Sequence, residues 1–371
     1  MVKQTSQVRG GKLLEMSGCS FAFLRRACPL VSAIIIGLVV IFPICSAQPG
    51  RTHMITVPWH QQLNALSCGA ASLEIVLDYW GPDISQKEIM NVARTSSMGT
   101  YTFDVERAGQ FSYLSSAQGR YFPNEGPEGG FVDRAIGFAA FSRSSSTSWL
   151  KELKTLIDRN IPVIVLMSYA PSGGGGHYRV VIGYDDNLQL VYFSDPWGRD
   201  TNHITGWTGV ISWSYSDFQT GWNYAEYGTA NPYFGVAIMP WSVAVSIAGS
   251  ATKDSTITVT ANIQYLCPEP FDTAQYPAKN AVAHITLPAG TTLSSSETIS
   301  LGDLDAGGNT KATWTVRCDK NVVGETVTVN AYGLISGQVP EAHWNGMAVY
   351  YPSNQYNDAI GGQGTAIMRA R

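Results

Sequence analysis

Apolar residues recur along this chain in three rhythms, and each predicts a different kind of element. Leu73, Val76, Leu77 and Trp80 follow helical spacing, and Gly81-Pro82 stops the pattern, which predicts a helix of about three turns opened by Cys68. Ser85 followed by Glu88 has the spacing of a capping box and predicts a second helix start. Ser148 to Asp158 reads as a third, amphipathic helix. Val163 to Met167 is a continuous apolar run of the length of a buried strand. Tyr178 to Tyr184 and Leu188 to Phe193 read as two further strands joined by a turn at Asp185-Asp186-Asn187. Between these lies a stretch from Gly99 to Gly130, rich in glycine and aromatics, to which no element is assigned.

From Trp241 onward the rhythm shortens to alternation. Ser242–Ala248, Thr256–Tyr265, Ala281–Leu287, Thr298–Leu304, Thr310–Cys318, Thr326–Tyr332 and Met347–Tyr351 make seven candidate strands, the number and spacing of an immunoglobulin-like sandwich. Leu287-Pro-Ala-Gly290 and Leu301-Gly-x-Leu-x-Ala-Gly307 resemble modules appended to prokaryotic surface proteins. Residues 353–371, rich in Asn, Gln and Gly, read as a flexible tail.

The N-terminus differs in kind. Arg25 and Arg26 precede an uncharged apolar run from Leu30 to Phe42, and Cys45 and Ala47 stand at small-residue positions beyond it. That order is the order of a secretory signal, cleaved after Ala47, with an uncleaved membrane anchor as the rival expectation. Residues 1–47 hold five basic residues and one acidic, so the remainder carries 19 basic against 27 acidic, a formal charge of -8. Such a chain is not built to bind nucleic acid or anionic lipid. Contact with a membrane is expected only if the N-terminal segment stays attached. With 44% hydrophobic and 14% charged residues, the 371-residue chain can bury the cores of two domains.

Removal of residues 1–47 leaves Cys68, Cys267 and Cys318. Outside the cytosol the natural disulfide joins Cys267 to Cys318, closing a loop of about 50 residues worth about 4 kcal/mol in the chain-entropy picture. Cys68 is then the odd thiol. The unpaired amides and dipole at a helix N-terminus favour a thiolate there, and Gly69, Ala70 and Ala71 leave room for a substrate backbone. Gln62, six residues upstream, is placed to return an amide as an oxyanion donor.

Pro171-Ser-Gly-Gly-Gly-Gly176 reads as a flexible loop delivering His177. It lacks the Lys-Ser/Thr and the helix of a phosphate loop. If the hairpin is symmetric about Asp186, His177 falls directly opposite Asp195, with Cβ atoms about 5 Å apart, and the carboxylate can orient the imidazole. A slip of one residue would put them on opposite faces. Taken singly, Cys68 reads as an inert buried thiol, His177 as a strand histidine and Asp195-Pro196-Trp197-Gly198 as a turn. Taken together they read as a nucleophile, a base and its orienter. His60 and His203 show no carboxylate partner in the local pattern, and His284 and His343 lie in the second domain.

The ordered set Gln62-x5-Cys68-Gly-x-Ala-Ser, Gly-His177-Tyr-x-Val-Val-Ile-Gly-Tyr-Asp and Asp195-Pro-Trp-Gly resembles the papain-like cysteine peptidases related to the double-glycine leader peptidases of bacteriocin export. Ser214-Tyr-Ser-Asp-Phe218-x3-Trp222 is similar to the segment that closes that domain. The resemblance implies Cys68 as nucleophile, His177 as base, Asp195 as orienter and Gln62 as part of the oxyanion hole, with no cofactor or metal. Ser67 stands where transporter-linked members carry Asp, and the chain shows neither a set of membrane spans nor a Walker motif. The likeness is therefore to the stand-alone, exported branch.

The expectation is an α+β papain-like domain over 48–240 followed by an all-β immunoglobulin-like sandwich over 241–352. It would be exported or held at the cell surface, acting on a peptide or protein substrate, with the sandwich contacting a surface or envelope ligand. Two alternatives remain open from the residues: an acyltransferase or transpeptidase using the same triad, and an inactive surface binding protein.

Overall fold

The computed structural model describes residues 51–95, 98–111, 136–198, 209–226, 232–338, 342–344, 347–349 and 355–370. The signal-like N-terminal segment, His203 and most of the unassigned glycine-rich stretch lie outside these residues. Residues 48–371 form one compact unit.

The first half begins with β1 (Thr52–Met54), α1 (Cys68–Trp80), α2 (Gln86–Val92) and α3 (Thr102–Gln110). Leu73, Val76 and Leu77 are fully buried on α1, each contributing about 1.5–3 kcal/mol of apolar burial. Gly81 ends the helix at φ 125°, a conformation that favours glycine, and its N–H closes onto Leu77 and Asp78 carbonyls. On α2, the Ser85 side chain accepts from the Glu88 N–H, as the capping pattern predicts.

The chain then forms β2 (Ala139–Arg143), α4 (Leu150–Asp158), β3 (Val163–Ala170), β4 (Gly173–Asp185), β5 (Leu190–Ser194), β6 (Val210–Ser214), α5 (Tyr215–Trp222) and β7 (Gly235–Met239). These strands build an antiparallel sheet in the order β2-β7-β3-β4-β5-β6, with β1 paired to the far end of β4. α1 packs against β4, so the start of the helix meets the long central strand. Gly173–Gly176, expected as a flexible loop, instead opens β4 and pairs with Ser168 and Ala170 of β3. Two consecutive glycines there, at φ 121° and 117°, adopt an extended backbone that side chains disfavour, so glycine content alone misleads.

The second half contains β8 (Ser242–Ala248), β9 (Thr256–Gln264), β10 (Ala278–Thr286), β11 (Thr291–Leu293), β12 (Thr298–Leu304), β13 (Asn309–Cys318), β14 (Thr326–Gln338), β15 (Ala342–Trp344), β16 (Met347–Val349) and β17 (Gln355–Ile367). They form two four-stranded antiparallel sheets, β12-β10-β14-β17 and β11-β13-β9-β8, while among the described residues β15 and β16 pair only with each other. Alternate residues of β9, β13 and β14 are buried, so each sheet has one covered face. No described helix is long and apolar enough to cross a membrane.

The segment read as a tail contains β17, paired residue for residue with β14 from Thr326↔Ile367 to Gln338↔Gln355. Its glycines allow close approach: a Cβ on Gly362 would lie 2.1 Å from the Trp241 carbonyl oxygen, and one on Gly364 2.0 Å from that of Val243. The Met347 strand belongs to the small β15-β16 pair, not to either four-stranded sheet.

The Cys267–Cys318 disulfide is also absent, and both thiols are free. β9 and β13 run antiparallel with Gln264 opposite Asn309 and Thr256 opposite Arg317. Cys267 therefore follows one end of the strand pair and Cys318 sits at the other, about 30 Å away at about 3.3 Å per residue. A bridge needs Cα atoms within about 7 Å.

Candidate active site

Cys68 is the first residue of α1 and is 8% exposed. The preceding loop is closed on itself. Ser67 Oγ accepts from the Asn64 N–H at 3.1 Å and donates to the Asn64 carbonyl at 3.2 Å, and Leu66 N–H donates to Asn64 Oδ1 at 2.8 Å. With Ser67 engaged in the loop, no side chain caps α1, and its first amides remain available to an anion at the sulfur. Burial alone pushes the Cys68 thiol up. The hydrogen bond and charge of His177, with the main-chain N–H groups of Tyr178 and Gly69, outweigh it, and the net shift is downward.

His177 lies near the start of the apolar part of β4, 5% exposed, opposite Met167 of β3. Its Nε2 meets Asp195 Oδ1 at 2.8 Å, and its ring also bonds Cys68, which leaves Nδ1 for the sulfur. The register that produces this contact is not the symmetric one. The turn spans four residues because Asp185 Oδ1 accepts the N–H groups of Asn187 and Leu188 and Gln189 takes φ 54°. Pairing therefore starts at Asp185↔Leu190 and runs to Gly183↔Tyr192. Carried on unbroken, it would set His177 and Asp195 on opposite faces.

A bulge at Ile182 corrects the parity. Beyond it the pairs are Val181↔Phe193 and Val180↔Ser194, and the same register one residue on sets Asp195 opposite Arg179. His177, two residues from Arg179, then shares that face as a diagonal neighbour of Asp195. The bulge is held from outside by β1. The Ile182 carbonyl accepts from Ile55 N–H at 2.7 Å, and the His53 carbonyl oxygen stands 2.7 Å from where a Gly183 Cβ would be.

Asp195 is 4% exposed and fully engaged. Oδ1 also accepts from the Trp197 N–H at 2.8 Å, and Oδ2 accepts from Arg179 Nε at 2.7 Å. Burial by itself raises this carboxyl, but the His177 hydrogen bond and the Arg179 charge hold it well below the usual carboxylate range. For His177, burial favours the neutral ring, the hydrogen bonds to Asp195 and Cys68 overcome this, and the Arg179 charge opposes them; the net shift is upward. A lowered thiol beside a raised imidazole favours a thiolate–imidazolium pair.

Gln62 is buried at 7% exposure. Its N–H donates to the Pro196 carbonyl at 2.8 Å, while Trp59 Nε1 donates to the Asp195 carbonyl at 2.9 Å, so the loop before Cys68 is stapled to the Asp195 turn. The Gln62 Nε2 donates to the Asn64 carbonyl at 2.6 Å, and its Oε1 is buried without a hydrogen-bond partner. Cys267 and Cys318 take no part in this site.

Sequence reasoning missed several neighbours. Arg179 had one visible signal, a cation two residues from His177 in an otherwise apolar strand. Tyr169 lies edge-on to the His177 ring, with centroids 5.6 Å apart. His60, expected without a carboxylate partner, has two: Asp78 Oδ2 at 2.8 Å and Glu74 Oε1 at 3.6 Å. Glu74 and Asp78 are one turn apart on α1, so helical spacing carried that signal. Glu226 accepts from the Thr102 N–H and hydroxyl at the start of α3. Among the described residues, no three His, Cys, Asp or Glu side chains converge as metal ligands.

Residues 54–229 match the model of the Peptidase_C39 like family. Among solved structures, the chain is similar to a double glycine motif protease from an AMS/PCAT transporter in complex with the leader peptide, at 17% identity over 51% of this chain and 94% of that one, TM-score 0.31. It is similar to xylellain, a cysteine protease from Xylella fastidiosa, at 15% identity over 51% and 85%, TM-score 0.37. It is also similar to the clostridial cysteine protease Cwp84, at 11% identity over 86% and 97%, TM-score 0.36. No curated protein matches the chain.

Proposed function

We propose that this chain is a cysteine peptidase, in keeping with the match of residues 54–229 to the model of the Peptidase_C39 like family, and that it cleaves peptide bonds through Cys68, His177 and Asp195 with Gln62 in the oxyanion hole. The observation that carries the assignment is the buried hydrogen-bonded chain from Cys68 through His177 to Asp195. The Cys68 thiolate attacks the scissile carbonyl, forming a C–S bond, and the carbonyl electrons move to oxygen. The main-chain N–H of Cys68 and the second N–H of the Gln62 amide, the one not given to the Asn64 carbonyl, receive that oxyanion. His177 gives its proton to the leaving amine, then takes one from water as water releases the acyl group. Asp195 keeps the imidazole in one orientation and tautomer throughout.

The second half carries the remaining proposals. β8, β9, β13 and β11 in one sheet, with β10, β14 and β17 in the other, follow the ABED and CFG order of an immunoglobulin-like sandwich, supplemented by β12. In this reading the sandwich holds the peptidase at the cell surface, and residues 1–47 direct its export.

Site-resolved alkylation of Cys68 by iodoacetamide, followed by mass spectrometry across pH, tests the triad without a known substrate. Cys68 should react well below the pH of an ordinary thiol. His177→Ala should remove that low-pH reactivity and cut hydrolysis of a susceptible peptide by about 10²–10⁴-fold. Slow alkylation of ordinary-thiol type, indifferent to His177→Ala, would falsify the assignment. A peptide-library digest, with Cys68→Ala as the blank, identifies the substrate.

A further inference from the structure

The line of buried charge does not stop at Asp195. Arg179 is 2% exposed, and all three of its guanidinium nitrogens have fixed partners. Nε donates to Asp195 Oδ2 at 2.7 Å, Nη2 to the Tyr169 carbonyl at 2.8 Å and Nη1 to the Ser168 carbonyl at 3.3 Å. The planar group also lies over Trp213, 4.8 Å from the ring centroid, and 5.8 Å from that of Tyr169. Lysine has no rigid fork that could meet a carboxylate and two carbonyls of β3 together.

We propose that Arg179 is a positioning residue of the peptidase site: it clamps one oxygen of Asp195 so that the other faces His177, and its charge sets the pH at which His177 gives up its proton. The inference rests on the triad proposed above. Cys68, His177, Asp195 and Arg179 carry alternating charges in the active form, and the four sum to zero. The groups facing His177 are Cys68 from α1, Asp195 from the turn after β5, Arg179 from its own strand and the Tyr169 ring from β3. Those facing Asp195 are His177, Arg179 and the Trp197 N–H. Removing the guanidinium leaves a surplus negative charge beside the imidazole and a buried carboxylate oxygen without a donor. Both changes favour a protonated His177, which then persists to higher pH.

The test uses the full chain and the pH profile of Cys68 alkylation by iodoacetamide. In the wild type, a lower step marks loss of the thiol proton to form the ion pair, and an upper step marks loss of the His177 proton. In Arg179→Gln the upper step should move upward by about one pH unit. In Arg179→Lys, which keeps the charge without the fork, it should stay at the wild-type pH while the rate between the steps falls several-fold. An upper step at the wild-type pH in Arg179→Gln overturns the proposal. If that variant does not fold by circular dichroism, Arg179→Lys decides: a displaced upper step or an undiminished rate overturns it, and the expected pattern sustains it. A wild-type profile with one ordinary thiol step, indifferent to His177→Ala, would instead remove the peptidase assignment itself.

Discussion

Glu226 is an acid whose surroundings work against its charge. Burial pushes its carboxyl up to about 7, even though it accepts two hydrogen bonds from Thr102. Between the ordinary glutamate value and about 7 the folded state holds a proton that the unfolded chain has lost. Stability contributed at this position therefore falls as pH rises through that interval. Glu226→Gln keeps an acceptor for Thr102 and removes the charge, so it should stabilise the protein by about 2 kcal/mol at pH 8 and by little near pH 4.5. Urea unfolding of both proteins at the two pH values checks this, and an equal gain at both would refute the titration. Cys68, His177 and Asp195 were legible residue by residue because each sits at a boundary with a local signature. Arg179 and Glu226 were not, because their partners come from distant segments.

At the scale of elements, the contact between His177 and Asp195 depends on one surplus residue in β4. The turn capped by Asp185 starts the hairpin in an odd register relative to the His177–Asp195 pairing, and the bulge at Ile182 restores an even one. β1 stabilises the bulge by passing so close to Gly183 that a Cβ there would collide with the His53 carbonyl. Gly183→Val should push β1 away, cost about 1–3 kcal/mol and lower peptidase activity more than Met54→Ala does on the same strand pair. Thermal unfolding and Cys68 alkylation, measured on both variants, separate the two effects. Unchanged alkylation in a folded Gly183→Val protein would show that the bulge survives without glycine. The strands were readable in the sequence, and Gly183 is the kind of isolated strand glycine that marks a bulge or a close backbone approach, but the register it restores was not, because that depends on the turn at Asp185 and on β1 alongside.

At the scale of the whole molecule, the two halves share structure. Gly137 forms a parallel bridge to Ile360, its N–H bonding the Ala359 carbonyl at 2.7 Å and its carbonyl receiving the Gly361 N–H at 3.0 Å. Phe141 of β2 packs on Tyr265 and Phe271, with centroids 6.1 and 5.9 Å apart, and Arg143 Nη1 donates to the Pro270 carbonyl. A chain ending at Pro240 would expose Phe141 and leave Gly137 without its partners. It should aggregate or lose several degrees in Tm relative to residues 48–371, which should unfold in one transition. Calorimetry of the two proteins decides, and a soluble 48–240 fragment with the parent Tm would show that the shared contacts carry no stability.

What the sequence determined by itself is whatever depends on near neighbours: the helix that opens at Cys68 and closes at Gly81, the alternating strands after Trp241, and the order of Cys68, His177 and Asp195 along the chain. Helical spacing, capping and alternation act within a few residues, so they can be read without coordinates. Only the tertiary structure decided the parity of the β4–β5 register, the clamp of Arg179 on Asp195, the opposite ends occupied by Cys267 and Cys318, and the glycine-rich strand β17. Each of these depends on which backbone another segment brings alongside, and closeness in space between residues far apart in the chain leaves no periodic trace in the order of amino acids.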